Sequence, residues 1–329
     1  MKKNNLKRQV YYNGEFINES EARVSIYDSA LMFGDMVFEM TRSFNGKQFK
    51  LKEHLKRLYS GIKILRIPLK LKIEEMENAV YETVEKNSKL FEKDDEHRIM
   101  IDVSRGLLSI YDDVDIRKGP NVIIADFPLR WTIQNCSHLY DSGLNLYITS
   151  QRAIPAHLMD PKIKNRSRLF YLMANIEVSM LKGNDNWALL LDTNGFIAEG
   201  TGSNFFMVKD GQLFTPEGRN ILRGISRGYV FEIADQLGIP CKECNIEPYD
   251  LYGADEAFLT GTPFCILPTT QFNGINIGNG KMGQVTTKLL DKWSENVGLN
   301  IVKQIKEYAK EIEFEKKAEA PTPYQFVKK

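Results

Sequence analysis

The chain has 329 residues, with 43% hydrophobic content and 44 Lys+Arg against 43 Asp+Glu, a formal charge of +1. That balance excludes a basic surface built for nucleic acid or an anionic membrane face, and the composition excludes a disordered or collagenous chain. At roughly 150 residues per domain, about two domains are expected.

From Tyr11 onward, short β-type runs alternate with turn signals. Asn13-Gly14 and Asn45-Gly46 each mark a hairpin, because both central residues of a tight hairpin turn need positive φ. In the strand Val37 to Phe44, period-two alternation puts Phe38, Met40, Arg42 and Phe44 on one face and Glu39, Thr41 and Ser43 on the other. Leu55, Leu58, Ile62 and Leu65 predict an amphipathic helix that stops before Pro68, and Leu71, Ile73, Met76, Val80 and Val84 a second. Strands follow over Arg98 to Ser104 and Asn121 to Phe127. Periodicity is then lost from Pro128 to Ser142, which places a domain boundary there.

The second half opens with a strand at Leu144. A helix follows in which Leu169, Leu172, Met173, Ile176 and Met180 share the face expected to turn inward, with Lys182-Gly183 as its stop. Four strands come next, over 187–192, 196–200, 203–208 and 212–216. A helix from about Ser226 turns Val230, Ile233, Ala234 and Leu237 inward, 255–261 is a strand, Gln284 to Val297 a helix, and 299–304 a strand. Strands in blocks argue for an α+β protein of two domains. The expected division is a smaller N-terminal α/β domain over 1–130, a linker over 131–142, a larger domain over 143–310 and a charged tail over 311–329.

Several motifs have plainer explanations than chemistry. Gly278 to Gly283 spells G-x-G-x-x-G, but the strand expected after its helix lacks the acidic residue that would meet a ribose. Cys241 and Cys244 form a single C-x-x-C, and a strand there points the thiols to opposite faces, against zinc. The four His are isolated, there is no G-x-S-x-G elbow, and four dispersed Cys fit a reducing compartment. The basic start is not followed by an apolar segment before the polar run Asn13 to Arg23, so a cytoplasmic protein without a membrane span is expected. Leu222-Arg223-Gly224-Ile225-Ser226 leads straight into a helix, which offers free N–H groups, a hydroxyl and a positive dipole end: enough for a phosphate, or simply for a cap.

Taken in order, several segments resemble the class IV, fold-type IV family of pyridoxal-phosphate enzymes, which includes branched-chain and D-amino acid aminotransferases and aminodeoxychorismate lyase. They are Phe33-Gly34-Asp35-Met36-Val37-Phe38-Glu39, His54-Leu55-Lys56-Arg57-Leu58, Ser104-Arg105-Gly106, Lys164, Asn194 to Gly200 with Ser203-Asn204, Arg223 to Arg227, Ala254 to Phe258 with Gly261-Thr262, and Gly283. The resemblance spans about residues 10 to 300. It implies a two-domain α+β fold with pyridoxal 5'-phosphate in the cleft between domains, and a homodimer acting on small amino and 2-oxo acids.

Residue by residue, the resemblance implies that Lys164 holds the cofactor covalently and then carries the proton between substrate and cofactor, both tasks for an amine. Glu199 matches the acid that pairs with the pyridine nitrogen. Arg57, Gly224, Ile225, Ser226 and Thr262 match phosphate ligands, while Ser203, Asn204 and Gly261 belong to the same motifs. Glu39 reads as structural.

The substrate side departs from the family pattern. Asn165-Arg166-Ser167-Arg168 stands where branched-chain aminotransferases carry Asn-Tyr. Pro263 lacks the N–H that helps hold the α-carboxylate there, and the Arg and His of D-amino acid enzymes after Arg-Gly are absent. Arg42, with Arg98 and Arg168 as further candidates, is expected to supply charge to the carboxylate, and Phe33, Phe38 and Met40 an apolar pocket. The function implied is amino transfer from an apolar, branched-chain-like L-amino acid to a 2-oxo acid. Alternatives are a lyase of the aminodeoxychorismate type, a D-amino acid or amine transaminase, a nucleotide-dependent oxidoreductase built on Gly278 to Gly283, and a non-catalytic relative.

Overall fold

The computed structural model describes residues 7–183 and 185–310; the tail expected over 311–329 lies outside the described residues. The chain divides into two compact units. The first comprises the residues up to Leu129 with Ile163–Ser167, the second Arg130–Lys162 with the residues from Arg168 onward.

In chain order the first unit contains β1 (Gln9–Tyr12), β2 (Glu15–Asn18), α1 (Ser29–Phe33), β3 (Met36–Phe44), β4 (Lys47–Gln48), α2 (Leu51–Ile64), α3 (Ile73–Ser88), β5 (His97–Ser104) and β6 (Asn121–Pro128). The strands form one antiparallel sheet in the order β2-β1-β6-β5-β3-β4. Both Asn-Gly pairs take positive φ, which lets the adjacent strands turn back on themselves. Val37, Ile99, Ile101, Val103, Val122 and Ile124 pack with Leu55, Leu58, Ile62, Met76 and Val80 in one core cluster. The helices therefore cover the sheet face that carries Glu39 and Thr41, the more polar of the two faces of β3. The opposite face carries Phe38, Met40 and Arg42, paired with Asp102, Met100 and Arg98.

The second unit contains α4 (Arg130–Ile133), α5 (Leu139–Ser142), β7 (Leu144–Arg152), α6 (Leu169–Ser179), β8 (Asn186–Leu191), β9 (Ile197–Gly200), β10 (Ser203–Lys209), β11 (Gln212–Pro216), α7 (Ile225–Gln236), β12 (Cys241–Cys244), α8 (Pro248–Tyr252), β13 (Glu256–Gly261), β14 (Cys265–Phe272), β15 (Ile275–Asn276), α9 (Gln284–Val297) and α10 (Ile301–Lys310). Its strands run β12-β11-β10-β13-β14-β7-β8-β9, and β9 also pairs β10, so six of them close into a ring.

Four expectations change. Residues 163–167 pack with the first unit and not with 143–310: Asn165 bridges Val37, and the Phe38 N–H donates to the Lys164 carbonyl at 2.9 Å. The stretch 131–142, expected as a linker, forms α4 and α5 of the second unit. Of residues 299–304, expected as a strand, 301–304 open helix α10, whose buried Ile301, Gln304, Ile305 and Tyr308 follow helical spacing. Finally, α6 turns Tyr171, Ala174 and Val178 inward, while Leu169, Met173 and Met180 stand 69%, 45% and 75% exposed. Ala174 meets Ala153, Ala188 and Ala198 in the same cluster, so small side chains let the helix approach the sheet more closely than a Leu/Met stripe would.

Candidate active site

In the first unit the site is built on the face of β3 and β5 opposite the helices. Gly34, with φ +68°, packs where any Cβ would overlap the Ser167 hydroxyl. The glycine thus admits the 163–167 segment against β3. Lys164 follows from this placement: its Nζ stands 4.8 Å from the centroid of the Phe38 ring. The Arg166 guanidinium lies 3.8 Å from that same ring and is held by Asp102 at 3.0 Å.

Four residues along β3 from Phe38, Arg42 and its direct register partner Arg98 are 1% and 7% exposed. The Arg42 guanidinium stacks 3.9 Å from Phe44. Arg98 places one nitrogen 3.7 Å from the Met40 sulfur, while its buried Nε and Nη1 have no hydrogen-bond partner among the described residues. Burial, Arg42 and Arg166 together push the Arg98 guanidinium down to about 9. A buried cation with unsatisfied donors, as Arg98 is beside Arg42, is costly unless an anion joins it.

On the covered face of the sheet, Arg57 donates from Nε and Nη2 to the two Glu39 oxygens at 2.6 and 2.8 Å, and His54 Nδ1 lies 2.7 Å from Oε2. Burial alone would raise the Glu39 carboxyl, but Arg57 and His54 hold it well below the usual carboxylate range. Burial in turn lowers His54 despite its carboxylate partner. Glu39 therefore orients Arg57 through a two-pronged contact.

In the second unit a connected set surrounds Glu199, 4% exposed. Asn204 Nδ2 donates to Glu199 at 3.1 Å and to the Leu222 carbonyl at 2.9 Å, and the Leu222 N–H returns to Glu199 at 3.1 Å. These bonds tie the carboxylate to the chain entering α7. Gly224 is the N-cap of α7, without a side-chain cap, and a Cβ there would overlap the Asn204 amide. The first turn, with Ile225 and the buried Ser226, offers N–H groups and a hydroxyl to a phosphate. Asn204 lies opposite Thr260 across β10 and β13, so Gly261 and Thr262 leave β13 from this same end. A buried carboxylate for a ring nitrogen and a glycine-capped helix start for a phosphate are the donor set that pyridoxal phosphate requires.

Among the other sequence-predicted residues, Ser203 is buried and pairs with Gly200. Phe33 is 64% exposed. Arg168 precedes α6 and lies 5.1 Å from the Tyr171 ring. Sequence reasoning missed Arg166, Asp102 and Tyr171. The last carried a signal: a Tyr in an apolar helix needs a partner for its hydroxyl once buried, and here that partner is Glu199 at 2.7 Å.

The dinucleotide-like motif fails on geometry. The Glu256 carboxylate accepts from the Val285 and Thr286 N–H groups and the Thr286 hydroxyl at the start of α9, filling the place a nucleotide phosphate would need. Glu256→Ala should accordingly destabilise the chain by about 1–2 kcal/mol, as loss of a helix cap does, in equilibrium denaturation; an unchanged midpoint would refute this role. No group of three or more His, Cys, Asp or Glu among the described residues could hold a metal ion, and no described helix is long and apolar enough to cross a membrane.

Comparison with known proteins fits this geometry. Residues 36–272 match the family model described as amino-transferase class IV. A Methanocaldococcus jannaschii protein assigned provisionally as a branched-chain-amino-acid aminotransferase is 36% identical over 290 residues, 87% of this chain and 96% of that protein. The Escherichia coli branched-chain amino acid aminotransferase structure aligns with a TM-score of 0.79 at 29% identity, covering 89% of this chain and 94% of that one. A T.th. branched-chain amino acid aminotransferase solved with pyridoxamine 5'-phosphate aligns at 0.79 and 30% identity, covering 88% and 94%. With the match spanning most of its length, the chain belongs to the class IV aminotransferases, enzymes of α+β fold that work with pyridoxal 5'-phosphate.

Proposed function

We propose that this aminotransferase takes the amino group of an apolar, branched-chain-like L-amino acid and passes it to a 2-oxo acid. One observation carries the reading: a single face of β3 and β5 presents the Lys164 amine over Phe38, apolar Met40 and Met100, and then the buried pair Arg42 and Arg98. The names of its relatives support the branched-chain choice.

When bound, the cofactor supplies an aldehyde carbon for an amine and a ring that takes up the electron pair released at the substrate's α-carbon. Lys164 Nζ holds the cofactor and, once displaced by the substrate amine, carries the α-proton. Glu199 holds negative charge for the ring nitrogen. Arg57, oriented by Glu39, serves the phosphate together with Gly224, Ile225, Ser226 and Thr262. Arg42 and Arg98 bind the substrate carboxylate, taking over from the N–H that Pro263 lacks, and Phe38 and Met40 exclude water around an apolar side chain.

Arg168, 5.1 Å from the Tyr171 ring, is a further candidate for the substrate carboxylate. We also propose a cytoplasmic homodimer; the exposed apolar residues Ile26, Leu31 and Phe33 support the pairing, because a second copy would cover them, and Phe33 then serves the neighbour's pocket.

The test is an absorption spectrum with cofactor, wild type beside Lys164→Ala, during addition of L- and D-amino acids. A visible band that needs Lys164, is bleached by apolar L-amino acids and is restored by a 2-oxo acid is the expected result. Bleaching by D-amino acids alone, or no Lys164-dependent band, would overturn it. In the same assay Arg98→Ala should raise KM for the amino acid about 10- to 100-fold, the range for losing a charged hydrogen bond. An unchanged KM for every accepted amino acid in both Arg98→Ala and Arg42→Ala would remove the arginines from the site.

A further inference from the structure

Glu199 faces the cofactor's ring nitrogen in the reading above, and the inference rests on that reading. Three neutral donors converge on its carboxylate. The Tyr171 hydroxyl donates to Oε1 at 2.7 Å, while Asn204 Nδ2 and the Leu222 N–H donate to Oε2 at 3.1 Å each. The tyrosine contact is the shortest of the three, as an O–H donor on an ionised acceptor should be.

The tyrosine is firmly held. It belongs to the core cluster of Ala153, Ala174, Val178, Ala188, Leu190 and Ala198, and Phe170 tilts against its ring with centroids 4.3 Å apart. Burial and the adjacent Glu199 charge push its phenol well above its ordinary value, so it is a proton donor at neutral pH. These neighbours also explain why α6 turns this face inward against the pull of its Leu/Met stripe.

A carboxylate paired with a protonated ring nitrogen can hold the shared proton on either partner. Every donor aimed at the carboxylate stabilises its charged form over its protonated form. The geometry points to Tyr171 as a positioning residue for amino transfer: its hydroxyl fixes Glu199 as a weakly basic carboxylate, so that the shared proton stays on the cofactor's ring nitrogen, where electron uptake needs it. Asn204 and Leu222 serve the other oxygen and fix the plane of the carboxylate. Tyr171 acts through Glu199 and touches no reacting atom.

The test uses the holoenzyme reconstituted with pyridoxal phosphate labelled with nitrogen-15 in the ring, wild type beside Tyr171→Phe. The ring resonance should move from the protonated toward the unprotonated pyridine position in the variant, with kcat lowered about 10- to 100-fold, as for a lost hydrogen bond to a charged group, and KM nearly unchanged. Incorporating 4-fluorophenylalanine at position 171 fills the hydroxyl's volume with a group that cannot donate. It should give the same displacement in a fully packed chain. A ring resonance that stays at the wild-type position in both variants would overturn the proposal, even if activity fell, because packing alone would then explain the tyrosine. The two levels separate cleanly: absence of any Lys164-dependent absorption band refutes the functional reading, whereas a normal band with an unmoved resonance refutes only the role of Tyr171.

Discussion

Exchanging Lys164 for alanine is expected to lower turnover by roughly four orders of magnitude, the upper range for a positioned proton-transfer group, while the protein stays folded. The segment that presents Lys164 is held by its backbone and its neighbours: the bridge from Asn165 to Val37, the Phe38 N–H on the Lys164 carbonyl and Ser167 seated on Gly34. None of these involves the lysine side chain, so the melting temperature should hardly change. Lys164→Arg should be as inactive as alanine, because a guanidinium stays protonated and can neither hold the cofactor nor accept a proton. Turnover of an amino acid and 2-oxo acid pair, with thermal melts of the same samples, checks both halves. A variant retaining turnover within tenfold of wild type would mean that another amine does this work.

Local elements of this fold were legible because their signals are local. The Asn-Gly turns, the alternation along β3 and the Leu spacing of α2 each depend on a few neighbouring residues, and each forms as read. The face of α6 does not follow from the count of Leu and Met, which is blind to the close approach that Ala174 allows and to the hydrogen bond that the Tyr171 hydroxyl makes to a residue 28 positions away. Residues 299–304 offered too few positions to separate a buried strand from the first turns of α10. On the candidate site the limit is sharper. Nothing local separates Lys164 from Lys162; resemblance to a family chose it, and the placement of 163–167 against β3 is a long-range fact. The pairing of Arg42 with Arg98 is set by the register of two strands separated by two helices, so the sequence could nominate both arginines without showing that they stand side by side.

Glu39→Ala should be the most destabilising single change in the first unit, costing about 3–5 kcal/mol, the range for removing one partner of a buried ion pair. The carboxylate is fully buried and carries both Arg57 contacts as well as His54. Its loss takes a two-pronged charged partner from a guanidinium that is only 13% exposed. Glu39→Gln should cost less, since an amide keeps one acceptor for Arg57, but it gives up the charge that repays the burial of both groups. The pH dependence follows from the direction of the shift. Because the folded state holds Glu39 below its ordinary value of 4.5, its contribution is fully present above that value and is lost as pH falls below it. Denaturant unfolding of wild type and Glu39→Ala should therefore differ most near neutrality and converge in acid. A constant gap across that range would show that Glu39 acts by filling space and not by its charge. The same variant should also bind the cofactor more weakly, because Arg57 depends on Glu39 for its orientation toward the phosphate.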